Sequence, residues 1–360
     1  MRIVVHDTIS LLRPLFTQRV RPRELLARAQ EPVFGPHGLR RWVSVPMAEK
    51  ERGGYAVMQA AQQDGYDVMM AQQMWGLFDP GRKPEASEWA FDRLSSAHTL
   101  ATMHAWLQTC AESLLAPRDL TRIACVLLPA DPANRNLMVM NHGLSLFGGA
   151  PGYLLAEIWP SAGNLVRLKP AFARVYTHNL RRASFPSIKV STLADILVLE
   201  GLSAAFVAAV CPDVPTAPWL VAFRQAGDWP GALAAVAHMY GVATYDDIGF
   251  NVYGSRVSSD GAEPPEARPL DADELAYARD LIGAALGVTT PGVIAAYLYG
   301  DALVAPQGHP TVGLPPYAGF EVGYRLVRAY LRRTRRSLAE AMATSSAEIL
   351  AETGENCPSG

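Results

Sequence analysis

The chain has 360 residues, 49% of them hydrophobic and 18% charged, with a formal net charge of -2 at pH 7. That is ordinary globular composition, with enough length to bury a large core in one big domain or two. Near-neutral charge argues against nucleic acid or an anionic membrane as the main partner.

None of the four cysteines, Cys110, Cys125, Cys211 and Cys357, forms a C-x-x-C pair, and their spacing fits no zinc ribbon. They read as buried or incidental thiols in a reducing compartment. The opening Met1-Arg-Ile-Val-Val-His-Asp7 lacks the basic, apolar and small-residue order of a signal peptide, so a cytoplasmic location is expected. The most apolar long stretch, Leu193 to Val210, contains Asp195 and Glu200. A membrane span would not readily carry both, which predicts a buried core helix instead.

In chain order, Pro22 opens a short helix through Ala29, and residues 48–78 read as helical again. A helical pattern runs from Ser87 to Leu115, with Trp89, Phe91, Leu94, Met103 and Leu107 on it. Thr121 to Pro129 is a strand by its apolar, partly β-branched run, Leu137 to Met140 a second, and Tyr153 to Trp159 a third. Asn141 to Gly152 is glycine-rich and irregular. It has neither the lysine nor the following helix of a phosphate-binding loop, so nucleotide binding is rejected. Pro170 is tolerable only near a first turn, which places the start of the next helix close to Lys169. Thr192 and Asp195 supply cap chemistry for a helix from Leu193 to Ala209. An apolar helix is expected around Leu233 to Tyr240, a loop over residues 256–270, and a helix from Asp271. A long helix follows from Tyr317 to Leu331, then a short one near Leu338 to Ala351 and a disordered tail.

The organising stretch is Ala171 to Arg182 with Glu200 on the following helix. Positions 174 and 178 lie one turn apart on one helix face, where a zincin carries the two histidines of H-E-x-x-H. Here the five residues are Arg174-Val-Tyr-Thr-His178. Tyr176, two residues from each, faces away from their side.

At these residues the chain resembles a bacterial family of predicted zinc-dependent proteases of the zincin type. Members carry Ile-Trp-Pro, then Asn-Leu, then H-E-[FY]-x-H-N-[LV]-R, then E-G-L-A, then G-Y-x-x-G-Y-x-x-V. This chain has Ile158-Trp-Pro160, Asn164-Leu165, His178-Asn-Leu-Arg181, Glu200-Gly-Leu-Ser203 and Ala318-Gly-Phe-Glu-Val-Gly-Tyr-Arg-Leu-Val327. The likeness spans roughly residues 121–350. It implies an α+β, mainly helical, zincin-like metallopeptidase fold with a small sheet beside the active-site helix. The domain division expected from it is 1–120, mostly helical, 121–352, zincin-like, and 353–360, disordered.

The departures from that pattern bear on the chemistry. An arginine stands at the first histidine position and a valine at the general-base position. A guanidinium stays protonated and cannot ligate a metal, and Val175 cannot take a proton from water. Of the implied zinc ligands only His178 and Glu200 remain, where a catalytic site normally has three. Arg174 is therefore expected to fill the place of the metal and pair with Glu200. His142, His238 and His309 are the histidines that could rebuild a metal site with His178.

The expected function is a degenerate zincin that has lost zinc peptidase chemistry. Its inherited cleft would serve a metal-independent reaction, such as a non-hydrolytic or small-molecule biosynthetic one, or bind a small molecule or peptide. His178, Glu200 and Arg174 are the candidate catalytic residues, with His178 as acid or base, Glu200 orienting it and Arg174 holding an anionic group. Asn179, Tyr317 and Tyr324 are the candidate substrate-binding residues. No metal or other cofactor, nucleic acid or membrane is expected as a partner. The alternatives are a working zinc metallohydrolase with unusual ligands and a noncatalytic interaction protein.

Overall fold

The computed structural model describes residues 1–13, 84–185, 191–213, 217–221, 229–248, 268–305 and 308–353. The helices expected over 22–29 and 48–78, most of the 256–270 loop and the disordered tail lie outside the described residues. The chain forms two compact units, each assembled from three segments: 1–109, 121–169 and 225–262, and 110–120, 170–224 and 263–360. The sequence predicts cuts after residues 120 and 352. The first residues join a sheet whose other strands lie more than a hundred positions on.

That sheet, in the first unit, consists of β1 (Arg2–Val5), β2 (Arg122–Pro129), β3 (Leu144–Ala150) and β4 (Tyr153–Ile158), in the order β1-β2-β4-β3. β1, β2 and β4 are parallel, and β3 runs antiparallel to β4 at one edge. β2 is buried from Ile123 to Pro129, which is why it reads as an unbroken apolar run rather than an alternating one. β1 was not anticipated. It pairs Ile3 with Ile123, and the Thr8 hydroxyl donates to the Leu127 carbonyl just beyond it.

Three elements differ from those the sequence predicts. Leu137 to Met140 is not a strand but part of a π-helix, Asn136–Met140. The Asp131 and Asn134 side chains take the Ala133 and Leu137 amides and start the turn. The glycine-rich stretch after it is not irregular: it forms β3, whose register against β4 shifts between Phe147 and Ala150, around the paired glycines. The single helix expected from Ser87 to Leu115 is two, Pro84–Ser96 and Thr99–Ser113, broken at His98, whose φ of 48° is left-handed.

The helix bearing Arg174 and His178 runs from Ala162 to Ser184, with Pro170 inside it rather than at its start. Pro170 has no N–H to give the Val166 carbonyl. Val166 is 66% exposed, so water can take that bond.

In the second unit, the central element is the helix Leu193–Val210. Its start is a capping box. The Asp195 N–H donates to the Thr192 hydroxyl at 3.2 Å, and the Thr192 N–H donates to the Asp195 carboxylate at 3.0 Å. The helix is long and apolar enough to cross a membrane, yet 67% of it is buried inside the protein, as a core helix would be. It packs backbone to backbone against the helix Ala318–Thr334. A Cβ on Gly201 would meet the Gly323 carbonyl oxygen at 2.1 Å, and one on Gly323 would meet the Leu197 carbonyl oxygen at 2.5 Å. Gly319 performs the same service against the helix Pro291–Tyr299, where a Cβ would meet the Tyr297 carbonyl oxygen at 2.5 Å. These close approaches set the depth at which Glu200, next to Gly201, and Tyr299, two residues past Tyr297, are held.

The C-terminus forms two short helices, Leu338–Ala343 and Ser346–Thr353, instead of one. The Arg181 guanidinium donates to the carbonyls of Ala341, Met342 and Thr344, which accounts for a buried arginine on the site helix. The architecture is thus mainly helical with a small mixed sheet.

Candidate functional site

Arg174 and His178 present one face of the site helix to Glu200 of the core helix. The Arg174 Nε donates to Glu200 Oε2 at 2.8 Å and its Nη2 to Oε1 at 2.5 Å, a bidentate fork. His178 Nε2 lies 3.3 Å from Glu200 Oε2. The Glu200 side chain is 6% exposed, His178 14% and Arg174 18%. The ion pair expected between Arg174 and Glu200 is therefore present, and it is nearly closed to water.

Two features beside it were not read from the sequence. The Tyr299 hydroxyl is hydrogen-bonded to the Arg174 guanidinium. The Phe320 ring lies 5.8 Å from the Arg174 guanidinium carbon and 5.1 Å from the Tyr299 ring, edge-on. Tyr317, whose φ of 60° is left-handed, starts the helix there, and its N–H donates to the Tyr299 carbonyl at 2.9 Å. A non-glycine residue held in that region costs about 1 kcal/mol or more, and its neighbours must over-determine it.

The electrostatics follow from burial and these partners. Burial alone pushes the Glu200 carboxyl up, but the Arg174 guanidinium and then His178 outweigh it and hold it at about 2. Burial pulls His178 down. Glu200 opposes that, Arg174 reinforces it, and the ring is left neutral at pH 7. Burial raises Tyr299, so it stays a neutral phenol despite the guanidinium beside it. The cluster thus contains one carboxylate, one guanidinium, a neutral imidazole and a neutral phenol.

Tyr176 does face away: its hydroxyl donates to the Leu114 carbonyl at 2.8 Å. Asn179 is fully buried. Tyr317 joins the Tyr299 and Phe320 rings, at 6.4 and 6.1 Å. Tyr324 packs on Trp219 at 5.1 Å, and its hydroxyl accepts from Arg328 at 3.3 Å. The Arg174 fork is spent on Glu200, which argues against the expectation that it waits for an incoming anion.

The residues do not fit a zinc ion. Among the described residues of this cluster, only His178 and Glu200 are ordinary zinc ligands, both Glu200 oxygens accept from Arg174, and a fixed guanidinium would repel a dication at this distance. His142, His238 and His309 do not complete the set. Among the described residues no three histidine, cysteine, aspartate or glutamate side chains gather in a group able to hold a metal.

The chain is 25% identical over 363 residues to a Bacillus subtilis (strain 168) protein recorded as uncharacterized protein YjfC, covering 98% of this chain and 99% of that one. No solved structure matches it. Residues 102–229 and 265–351 match the family described as predicted Zn-dependent protease (DUF2268), which takes in both helices of the site and more than half of the chain. The chain belongs to that family.

Proposed function

We propose that this member of the family works without zinc, and that Arg174 stands where the metal would be. The observation that carries this reading is the bidentate fork of Arg174 on Glu200, which occupies both carboxylate oxygens and gives a buried anion its counter-charge. The zincin-like arrangement itself, one helix carrying positions 174 and 178 and the next carrying Glu200, supports descent from a metal-binding site.

In this reading His178 is the one group in the cluster that is neutral at pH 7 and able to exchange a proton, so it acts as general base or acid. Glu200 orients its ring through Nε2. That leaves Nδ1 to face a substrate proton. Arg174 positions Glu200 rather than binding substrate, which revises its expected role as an anion holder. Tyr299 holds the guanidinium through a hydrogen bond and replaces Tyr324 as the tyrosine of interest. A small molecule or peptide is the substrate class, and a ligand that binds without reacting is the second outcome.

The test is calorimetric titration of the purified full-length protein with zinc, together with thermal melts in a strong chelator. The reading expects no zinc binding that depends on His178 and no chelator effect on the melt. Stoichiometric zinc lost in His178→Ala overturns it and restores the zinc metallohydrolase.

A further inference from the structure

The sheet-bearing unit holds a second group of buried polar side chains, independent of the cluster on Glu200. His142 and Gly143 are the central residues of a tight turn, with φ of 49° and 68°. The Leu144 N–H closes it by donating to the Asn141 carbonyl at 3.2 Å. Left-handed φ at both centres marks a type I′ turn, which favours asparagine or glycine where His142 stands. The turn is clamped from outside. The Asn164 amide donates to the carbonyls of His142 and Trp159, at 2.8 and 2.7 Å. A Cβ on Gly143 would meet Trp159 at 2.8 Å and Trp229 at 3.1 Å.

This clamp sets the His142 ring against the Trp229 indole, with centroids 5.4 Å apart. Each residue is 7% exposed. Among the described residues, neither ring nitrogen of His142, nor Nε1 of Trp229, has a hydrogen-bond partner. Buried polar atoms almost always have one, so three orphans on two neighbouring rings point to a molecule that binds them. Arg167 is 4% exposed, anchored on the Asn164 side-chain oxygen at 2.9 Å, and brings positive charge to the same ring. Burial first, then Arg167, push the His142 ring down to about 4, so it is neutral at pH 7 and offers one N–H.

We propose that His142 and Trp229 form a binding site for a small carboxylate. One carboxylate oxygen accepts from the Trp229 indole N–H and the other from the imidazole N–H, which matches two donors to two acceptors. The Arg167 charge favours an anion and disfavours an amine. The site owes nothing to Arg174 or His178 and stands whatever becomes of the zinc-independent reading.

The test is an NMR titration of the ¹⁵N-labelled full-length protein with acetate and, separately, N-acetylglycine, against sodium chloride at matched ionic strength. The Trp229 indole resonance is assigned by its loss in Trp229→Phe. The expected result is a saturable shift of the Trp229 indole and His142 ring signals with acetate but not chloride. Binding should fall at least tenfold in His142→Asn, a residue that accepts the left-handed backbone. A response to N-acetylglycine as well identifies peptide C-termini as ligands, and a response to acetate alone a free small acid; both support the site. No shift with either acid, an equal shift with chloride, or a long-lived water on the two rings that persists in saturating acetate overturns it.

Discussion

Two buried polar regions of this protein solve the problem of burial in opposite ways. Around Glu200 every charge has an answer: the guanidinium forks onto the carboxylate, the phenol holds the guanidinium, and the imidazole stays neutral. In the sheet-bearing unit, His142, Trp229 and Glu157 bury polar atoms that have no hydrogen-bond partner among the described residues. A closed cluster contributes its energy when the chain folds. A region with orphaned atoms leaves that energy to be collected later, on binding or on a change of protonation.

The largest effect should come from breaking the closed cluster. Arg174→Met leaves the Glu200 carboxylate buried and uncompensated, which costs about 3–5 kcal/mol in urea titration at pH 7. The double variant Arg174→Met with Glu200→Leu should recover most of that loss, because it removes both charges together. A cost below about 1 kcal/mol for the single variant would mean that the pair behaves as an exposed one. The same contrast appears with pH. Glu200 is held at about 2 against an ordinary 4.5, so its stabilisation is complete above pH 4.5 and lost as the pH falls towards 2.

Next in size is a gain. Arg174→His supplies the third ligand beside His178 and Glu200 at the spacing a zinc site uses. The variant, unlike the parent, should be stabilised by zinc, by about 2.7 kcal/mol when free zinc is a hundredfold above its dissociation constant. Thermal melts with and without zinc would show it.

Smaller effects test the edges of each region. Tyr299→Phe removes the hydroxyl that accepts from Arg174 and should cost about 1 kcal/mol, with His178 titrating differently by NMR. Glu157 is the mirror case. It is 4% exposed on the central strand β4, and burial pushes its carboxyl well above the usual range. Its favourable contribution is full below pH 4.5 and is lost as the pH rises through the raised value. Glu157→Gln should therefore stabilise the fold at pH 8 by about 1 kcal/mol or more, with little change at pH 4. An equal change at both pH values would show that ionisation is not the cause.

The parts of this picture legible in the sequence are those whose cause is local. The spacing of positions 174 and 178 places both on one helix face. Thr192 and Asp195 announce the start of the core helix, and an apolar run containing Glu200 implies a partner for it. The pairing with Arg174 follows from that need. What escaped depends on contacts between distant segments. Tyr299 reaches the cluster only because Gly319 admits the helix Pro291–Tyr299 closely. β1 exists only because β2 lies ready to pair with it. The edge strand β3 hides behind its glycines, and the break at His98 depends on one left-handed residue in an otherwise continuous helical pattern. Pro170 misled for the opposite reason: a rule about hydrogen-bond loss matters little where water can take the bond. The His142 turn went unread because asparagine or glycine, not histidine, is the usual sign of a type I′ turn.

The most direct measurement of the central claim is anomalous diffraction at the zinc absorption edge, from crystals of the parent protein grown with zinc present. The account predicts no anomalous peak beside His178 Nε2 and Glu200, with the Arg174 guanidinium still forked on the carboxylate. A peak at coordination distance from both residues, with Arg174 displaced, would contradict it.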